Sequence, residues 1–460
     1  WDHWDTHRDM ILRDRSINNN LLTFDEMNTF GKKGIGNEST YNAGFALTRY
    51  IAYKYGSSTL KKIMAELSNP FQFSIEDAIY NVLDIDGYDL YKDFINTIND
   101  RYNRLIKPIE VNYIKPNIIK DKGTANLFPI WSPDNNSFLY LTNKDNDYFG
   151  QTDLYLHDFK DNSDEKISRG VFSAPVWNPN GEVVYYSKKP KFPDKNGSKY
   201  YDIYEYDLST KKEKRITQSS RAFSPVFIAK DSSIAYLATY DGSQDIYLLN
   251  LKSREIMRIT NFEDRPIISS LTYNEKDHSL YFDISTNHYR DIGMVSLSGK
   301  VYKMVLNSSN WDERNVTFTK NGSLIYSDDR SGIFNLYFID TLNQRQGYLT
   351  NVYGGSFMSD INQNGKILYS LYDNGGYKIA MIDSLDIIDE SLVGYAPSYH
   401  LKNKELSDPI MELDTTRSTS YVDQFPNMFV MPKLMIDYGT AKPGFYFYSS
   451  EILDRLSLFG

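Results

Sequence analysis

A pattern of four short segments returns every forty-odd residues, and it constrains this chain more than any other feature. The first copy reads Phe128-Pro129-Ile130-Trp131-Ser132-Pro133-Asp134-Asn135-Asn136-Ser137, then Phe138-Leu139-Tyr140-Leu141, Asp153-Leu154-Tyr155-Leu156 and Lys166-Ile167-Ser168. The second reads Ala174-Pro175-Val176-Trp177-Asn178-Pro179-Asn180-Gly181, then Val183-Val184-Tyr185-Tyr186, Asp202-Ile203-Tyr204 and Arg215-Ile216-Thr217. The bulky residue of the first segment recurs as Trp131, Trp177, Phe227, Tyr273, Phe318 and Ile361, at steps of 46, 50, 46, 45 and 43. The third segment stays in phase with it, beginning at Asp153, Asp202, Asp245, Asp291, Asn335 and Lys378. A period in the forties with four strand-like segments per copy is the signature of propeller blades. One blade is a small twisted sheet that cannot bury both faces alone, so blades stack in a ring.

Six markers imply six blades, over residues 108–385. The last copy has no clear fourth strand. The extended stretch 111–119, ahead of the first copy, is expected to fill that place, joining the ends of the ring and protecting both edges. The recurring residues read as builders of blades. Trp131 and Trp177 are expected in the core. Asp153, Asp202 and Asp245 are expected to hydrogen-bond a turn or a neighbouring strand. The loop Asp145-Asn146-Asp147-Tyr148-Phe149-Gly150 opens like a calcium loop. Phe149 stands where a ligand belongs and no Glu closes it, so it is not one.

The totals exclude several functions. The formal net charge of the 460 residues is -9, with no Lys/Arg block, which argues against nucleic acid as a partner. Cysteine is absent, which removes disulfides, thiolate metal sites and a cysteine nucleophile. No apolar run reaches the roughly 18 residues of a membrane helix. The chain opens at Trp1 and stops within strand-like Leu458-Phe459-Gly460, and it reads as a piece of a longer protein.

Residues 1–107 carry helical signals instead. Thr23-Phe24-Asp25-Glu26 has the form of a capping box. A helix is expected from Ser39 or Thr40 to the region of Gly56. A second carries the stripe Leu60, Ile63, Met64 and Leu67, and a third is capped by Ser74. A fourth runs from about Tyr88 to Leu105, with Leu90, Phe94, Ile95 and Ile98 inward. At the chain start, His3-Trp4-Asp5-Thr6-His7 sets two imidazoles four apart. That is the zincin spacing, but Trp4 stands where the general-base Glu belongs. His3 and His7 are therefore weak metal candidates beside the plainer reading of two surface or stacking histidines.

Three resemblances to known families follow from these residues. The stretch Tyr41-Asn42-Ala43-Gly44-Phe45-Ala46-Leu47, the helix ending at Tyr55-Gly56, and Leu60 after it resemble the C-terminal helical part of gluzincin, aminopeptidase-type metallopeptidases. That resemblance covers about residues 38–105. It implies that Tyr41 is the catalytic tyrosine, whose hydroxyl stabilises the oxyanion of the tetrahedral intermediate. On the alternative reading Tyr41 is an ordinary first-turn residue with a buried ring. His-Glu-x-x-His occurs nowhere in the chain, so zinc, the one cofactor implied, needs ligands upstream of residue 1.

The Trp-Ser-Pro-Asp and Asp-Leu-Tyr repeat resembles the TolB-type propeller family in its WD-like form, over about residues 110–385. That implies a periplasmic module that binds proteins. The same propeller covers prolyl-oligopeptidase active sites, but the Gly-x-Ser-x-Gly of such an enzyme is absent. Residues 386–408 read as a linker. In 409–460, the runs Met431-Pro432-Lys433-Leu434-Met435-Ile436-Asp437-Tyr438 and Gly444-Phe445-Tyr446-Phe447-Tyr448 are similar to the opening of BamA-like surface-antigen outer-membrane barrels. The competing reading is a strap of two strands on the propeller.

The sequence thus describes a mainly β chain: a six-bladed β-propeller with an N-terminal α-helical domain and a short C-terminal β segment. The function expected is a non-catalytic protein- or peptide-binding scaffold of the Gram-negative periplasm or outer membrane, working at a propeller face, with no cofactor in this chain and no nucleic acid. The tail offers a route to the outer membrane. The alternative is part of a peptidase-like chain, a zinc metallopeptidase whose ligands precede residue 1.

Overall fold

Six four-stranded antiparallel sheets, one per sequence copy, make up the middle of the molecule among the described residues. The computed structural model describes residues 5–28, 35–69, 72, 74–230, 232–286, 289–298, 301–308, 310–395, 428–450 and 456–460. The chain forms two compact units, Trp1–Leu406 and Ser407–Gly460.

In the first unit, each blade runs from its first strand inward to its fourth strand outward. The first strands of blades 1 to 6 are Asn126–Trp131, Val176–Trp177, Ala222–Ile228, Ile267–Asn274, Glu313–Phe318 and Gly355–Ile361. They neighbour one another from blade 2 round to blade 6 and from blade 6 to blade 1. The bulky marker residue sits near the end of each. Trp131 is buried edge-on to Phe138 and flat against Phe159, at centroid distances of 6.5 and 5.3 Å. Trp177 is buried among Leu139, Leu141 and Val184, bridging blades 1 and 2. Five first strands carry a register irregularity midway, at residues 127–130, 223–226, 268–271, 314–317 and 357–360. A β-bulge at this place bends the strand that lines the axis and adds twist.

The ring closes as the sequence implies. Blade 6 takes its outermost strand, Asn117–Lys120, from before blade 1, with Asn117 opposite Met381 and Ile118 opposite Ala380. Extended structure begins later than residue 111, because Lys107–Val111 is still helical.

The helical block has six helices among its described residues: α1 (Thr6–Ile17), α2 (Asn37–Tyr55), α3 (Ser58–Leu67), α4 (Ile75–Leu83), α5 (Gly87–Leu105) and α6 (Lys107–Val111). Ser74 caps α4 through the Asp77 amide at 3.1 Å. The Thr23–Glu26 capping box forms reciprocally, at 2.9 and 3.2 Å, but opens only the 3-10 turn Asp25–Asn28. α2 starts at Asn37, ahead of the expected Ser39. Leu90, Phe94 and Ile98 point inward, whereas Met64 departs from the expected stripe and is exposed. α1 was not foreseen as a core element, yet its residues Asp9 to Ser16 are all buried.

The block and the propeller fall in one unit because α1 is packed between them. Met10 and Ile11 cluster with Phe334, Phe357 and Tyr372 of blades 5 and 6, and Leu12 with Tyr91, Phe94 and Tyr102 of α5. Residues 386–395, the first part of the segment read as a linker, are also packed down. Ile388 pairs with Tyr348 on the outer strand of blade 5, and Tyr395 is buried beside α1.

The second unit is a three-stranded sheet of Phe429–Asp437, Thr440–Ser450 and Ser457–Phe459, paired in that order. Residues 409–427 lie outside the described residues.

Candidate functional site

The propeller has two faces, and its topology assigns different connections to each. Turns from first to second and third to fourth strand emerge on one. Turns from second to third strand, and the links to the next blade, emerge on the other, called the connection face below.

The residue that opens each third strand, an aspartate in blades 1 to 4, shapes this face. Asp202 accepts from the Thr217 hydroxyl at 2.8 Å and from the Ser219 and Ser220 amides at 3.0 Å, and pairs with Arg215 at 2.5 Å. Asp245 repeats this in blade 3 with Thr260 (2.9 Å), the Phe262 amide (3.0 Å) and Arg258 (2.6 Å). Each threonine hydroxyl also accepts the next backbone amide, Ile203 or Ile246. One side chain therefore ties the third strand, the end of the fourth and the link beyond it. In blade 5, Asn335 and Thr350 keep a neutral version. In blade 6 the position is Lys378, which pairs with Asp373 instead.

Blades 5 and 6 are where α1 is seated. Arg13 is fully buried. Its Nε donates to the Tyr353 carbonyl at 2.6 Å, Nη2 to the Gly354 carbonyl at 2.8 Å, and Nη1 to Asp9 at 2.7 Å and the Tyr395 hydroxyl at 2.6 Å. Burial alone lowers a guanidinium pKa, but the neighbouring Tyr395 and Asp9 reverse this and raise it. Asp14 accepts from the amides of Asn374 and Gly375, at 2.8 and 2.7 Å, in the second-to-third turn of blade 6. Its burial pushes the carboxyl up to about 6.

The amino end of α1 meets a denser set of charges. Burial first, then Arg314, pulls the His7 imidazole down to about 4; Arg290 and Arg8 act the same way and Asp5 opposes them. Beneath lie Asp283, Asp312 and Asp329. Asp312 takes the Arg290 amide at 3.0 Å and pairs with Arg314, and Asp329 takes the Asp312 amide at 2.8 Å. Burial raises Asp283 to about 6 and, together with Asp312, raises Asp329 to about 8. In this seat Arg314 pairs with Asp312, while burial favours the neutral form of Asp283 and Asp329.

The residues singled out from sequence fall apart here. His7 is in this seat, among guanidiniums whose charge opposes a metal cation. His3 lies outside the described residues. Tyr41 is the fifth residue of α2 and is 58% exposed, so its ring is not buried as the plainer reading had it. Its neighbour Asn42 accepts from Arg8 at 3.1 Å, so the starts of α1 and α2 lie side by side.

Blade 2 carries the feature that sequence reading missed. Residues 189–201 form a long second-to-third connection, rich in lysine and aromatic residues. A signal was present: the step from Trp177 to Phe227 is 50 residues, against 43 to 46 elsewhere.

Residues 106–358 match the family of the TolB beta propeller domain. Over 151 residues the chain is 29% identical to the Tol-Pal system protein TolB of Ruthia magnifica subsp. Calyptogena magnifica, a stretch amounting to 31% of this chain and 33% of that protein. The chain thus spans about a third of the length of that curated relative. Among solved structures, TolB from Acinetobacter baumannii is 16% identical, with 58% of this chain and 65% of that one covered and a TM-score of 0.41. A putative TolB from Agrobacterium tumefaciens is also 16% identical, with 56% and 91% covered and a TM-score of 0.42.

Proposed function

The chain belongs to the TolB beta propeller domain family, and from that premise we propose that it is a non-catalytic scaffold binding a protein or peptide at a propeller face in the Gram-negative periplasm. The observation that carries this is the seat of α1. Buried Arg13 and Asp14 fix the helical block to blades 5 and 6, so block and propeller present one rigid surface. A preformed surface lowers the ordering cost of binding. The named relative is a Tol-Pal system protein, which fits a protein partner in that compartment.

The test is photo-crosslinking in the cell from single probe residues on the turns of both faces, such as Asn180, Lys276 and Tyr240, with Tyr53 on the helical block for comparison. Discrete protein adducts from propeller positions are the expected result. Adducts from the helical block alone would remove the propeller from the binding role.

The tail adds an outer-membrane route. One side of its hairpin presents Val430, Pro432, Leu434, Ile436, Ala441, Pro443, Phe445 and Phe447, all apolar and exposed. The other side mixes Phe429, Met431, Met435, Tyr446 and Tyr448 with Lys433 and the Asp437–Lys442 ion pair at 2.5 Å. The strands have 9 and 11 residues. Alternation of that kind at that length suits barrel strands facing lipid. Leu434→Asp with Phe445→Asp should abolish flotation of the chain with phospholipid vesicles; flotation that persists rules the sheet out as the anchor.

The peptidase reading retains one favourable observation, the exposed phenol of Tyr41 at a helix start. It requires zinc-dependent peptide hydrolysis by the full gene product that Tyr41→Phe reduces by about tenfold or more.

A further inference from the structure

Blades 3 and 6 join their second and third strands through two residues, Asp241-Gly242 and Asn374-Gly375. Blade 2 uses residues 189–201 for the same connection. The additional length is not needed to build a blade, and ordered loops longer than usual are commonly functional.

This loop is structured. The Asp194 carboxylate accepts from the amides of Asn196 and Ser198, both at 2.9 Å, and the Lys199 ammonium donates to the Lys191 carbonyl at 2.8 Å. Tyr201 stacks on Phe172 at 4.5 Å between centroids, and Phe223 meets Phe172 edge-on at 6.4 Å. Cations lie over the rings: Lys189 over Tyr201 at 4.9 Å, Lys191 over Phe192 at 5.3 Å and Arg221 over Tyr200 at 4.3 Å. Phe172 and Phe192 remain 52% and 72% exposed. The loop carries Lys189, Lys191, Lys195 and Lys199 against one carboxylate, Asp194, and Arg221 lies over its Tyr200, a local positive excess on a chain of net charge -9. Among the described residues none of the five makes an ion pair, whereas Lys188, one position earlier, pairs with Glu213 at 2.6 Å.

We propose that this surface docks an acidic peptide segment of a partner protein, its carboxylates meeting Lys189, Lys191 and Arg221 and an apolar side chain resting between Phe172 and Phe192. It rests on the protein-binding reading above and names the part of the connection face that α1 leaves open. Charge complementarity selects the occupant. A bilayer or a polynucleotide meets a wider area of a chain whose net charge is -9. A short peptide senses only charges within about one Debye length, roughly 10 Å at 0.1 M salt.

The probe is a short fluorescein-labelled peptide of alternating Asp and Glu with a central Phe, titrated by anisotropy with the full chain at about 0.1 M salt. The triple variant Lys189→Glu, Lys191→Glu, Arg221→Glu should weaken binding by about tenfold or more, and Phe192→Ala by about threefold. Lys303→Glu, on the outer strand of blade 4, should leave it unchanged. Equal binding by parent and triple variant at matched thermal midpoints overturns the site. So does a parent that binds phosphatidylglycerol vesicles through these cations and ignores the peptide. If the peptide fails while cellular adducts still form elsewhere on the propeller, the site is wrong and the scaffold reading stands; if propeller adducts are missing as well, both fall.

Discussion

Blades 2 and 3 and blades 5 and 6 come from the same repeat and hold themselves together differently. In blades 2 and 3 a buried aspartate, a threonine and an arginine clasp the third strand to the link beyond the fourth. In blade 5 the clasp is neutral, and in blade 6 the aspartate has become Lys378. Where the clasp is neutral or replaced, a partner arrives from outside the repeat. Asp14 of α1 holds the blade 6 turn at Asn374 and Gly375, and Arg13 takes the carbonyls at the blade 5 to blade 6 link. Decay of a repeat marks where another part of the chain supplies the missing hydrogen bonds.

The sharpest way to break this comparison is at Arg13. Arg13→Ala leaves two buried backbone carbonyls without their donor and Asp9 without the nearer of its two cations, Arg101 remaining at 3.6 Å. Losing one partner of a buried pair costs about 3–5 kcal/mol. Thermal unfolding should show that loss, with protease cleavage appearing between the helical block and blade 6. A loss under about 1 kcal/mol would mean that α1 does not secure the late blades.

The self-clasped half is tested at Asp245. Asp245→Ala strands the Thr260 hydroxyl, the Phe262 amide and Arg258 together, and should cost about 2–3 kcal/mol in denaturant unfolding. Asp245→Asn keeps an acceptor and should recover about half of that.

This contrast also explains what the sequence could and could not disclose. Blade number and phase were legible because a bulky first-strand residue recurs in every copy and the clasp aspartate in the first four, at a spacing set by four strands. Closure by the strand before blade 1 was legible because one copy lacked its outer strand. α1 was not. Its Asp9, Arg13, Asp14 and Arg15 are buried, so it has no apolar stripe to find. The groups that satisfy Arg13 are carbonyls some 340 residues away. The blade 2 loop was visible only as a longer step, since its aromatic–cation pairs need the fold to meet. Tyr41 was placed at a helix start by its neighbours, but its exposure depends on packing that no local pattern encodes.

A smaller effect lies where the two ends of the ring meet. Asp360, in the last first strand, accepts the Trp131 amide at 2.7 Å, and burial raises its carboxyl to about 7. The folded protein therefore holds a proton that the unfolded chain, with an ordinary carboxyl near 3.8, releases. Stability from this group is present at acid pH and lost as pH rises from about 4 through 7. Asp360→Asn keeps an acceptor without the charge. It should remove that part of the pH dependence and leave the variant about 1–2 kcal/mol more stable than the parent at pH 8. Parallel stability–pH curves for the two proteins would assign the shift elsewhere.

The smallest effect expected is the one that decides the comparison. Lys378 occupies in blade 6 the position that Asp245 occupies in blade 3, but its partner is Asp373 on the adjacent strand and the link beyond it needs nothing from it. The turn between these two strands is already held by Asp14, and the outer edge by Asn117–Lys120. Lys378→Ala should thus cost no more than a surface ion pair, about 0.5 kcal/mol. If it matched the loss at Asp245, equivalent repeat positions would carry equal weight whatever docks on them, and the late decay would be unrelated to α1. A small loss in the parent that grows to about 1–2 kcal/mol in the Arg13→Ala background would show the two devices substituting for each other, because neighbouring interactions that share a role are not additive.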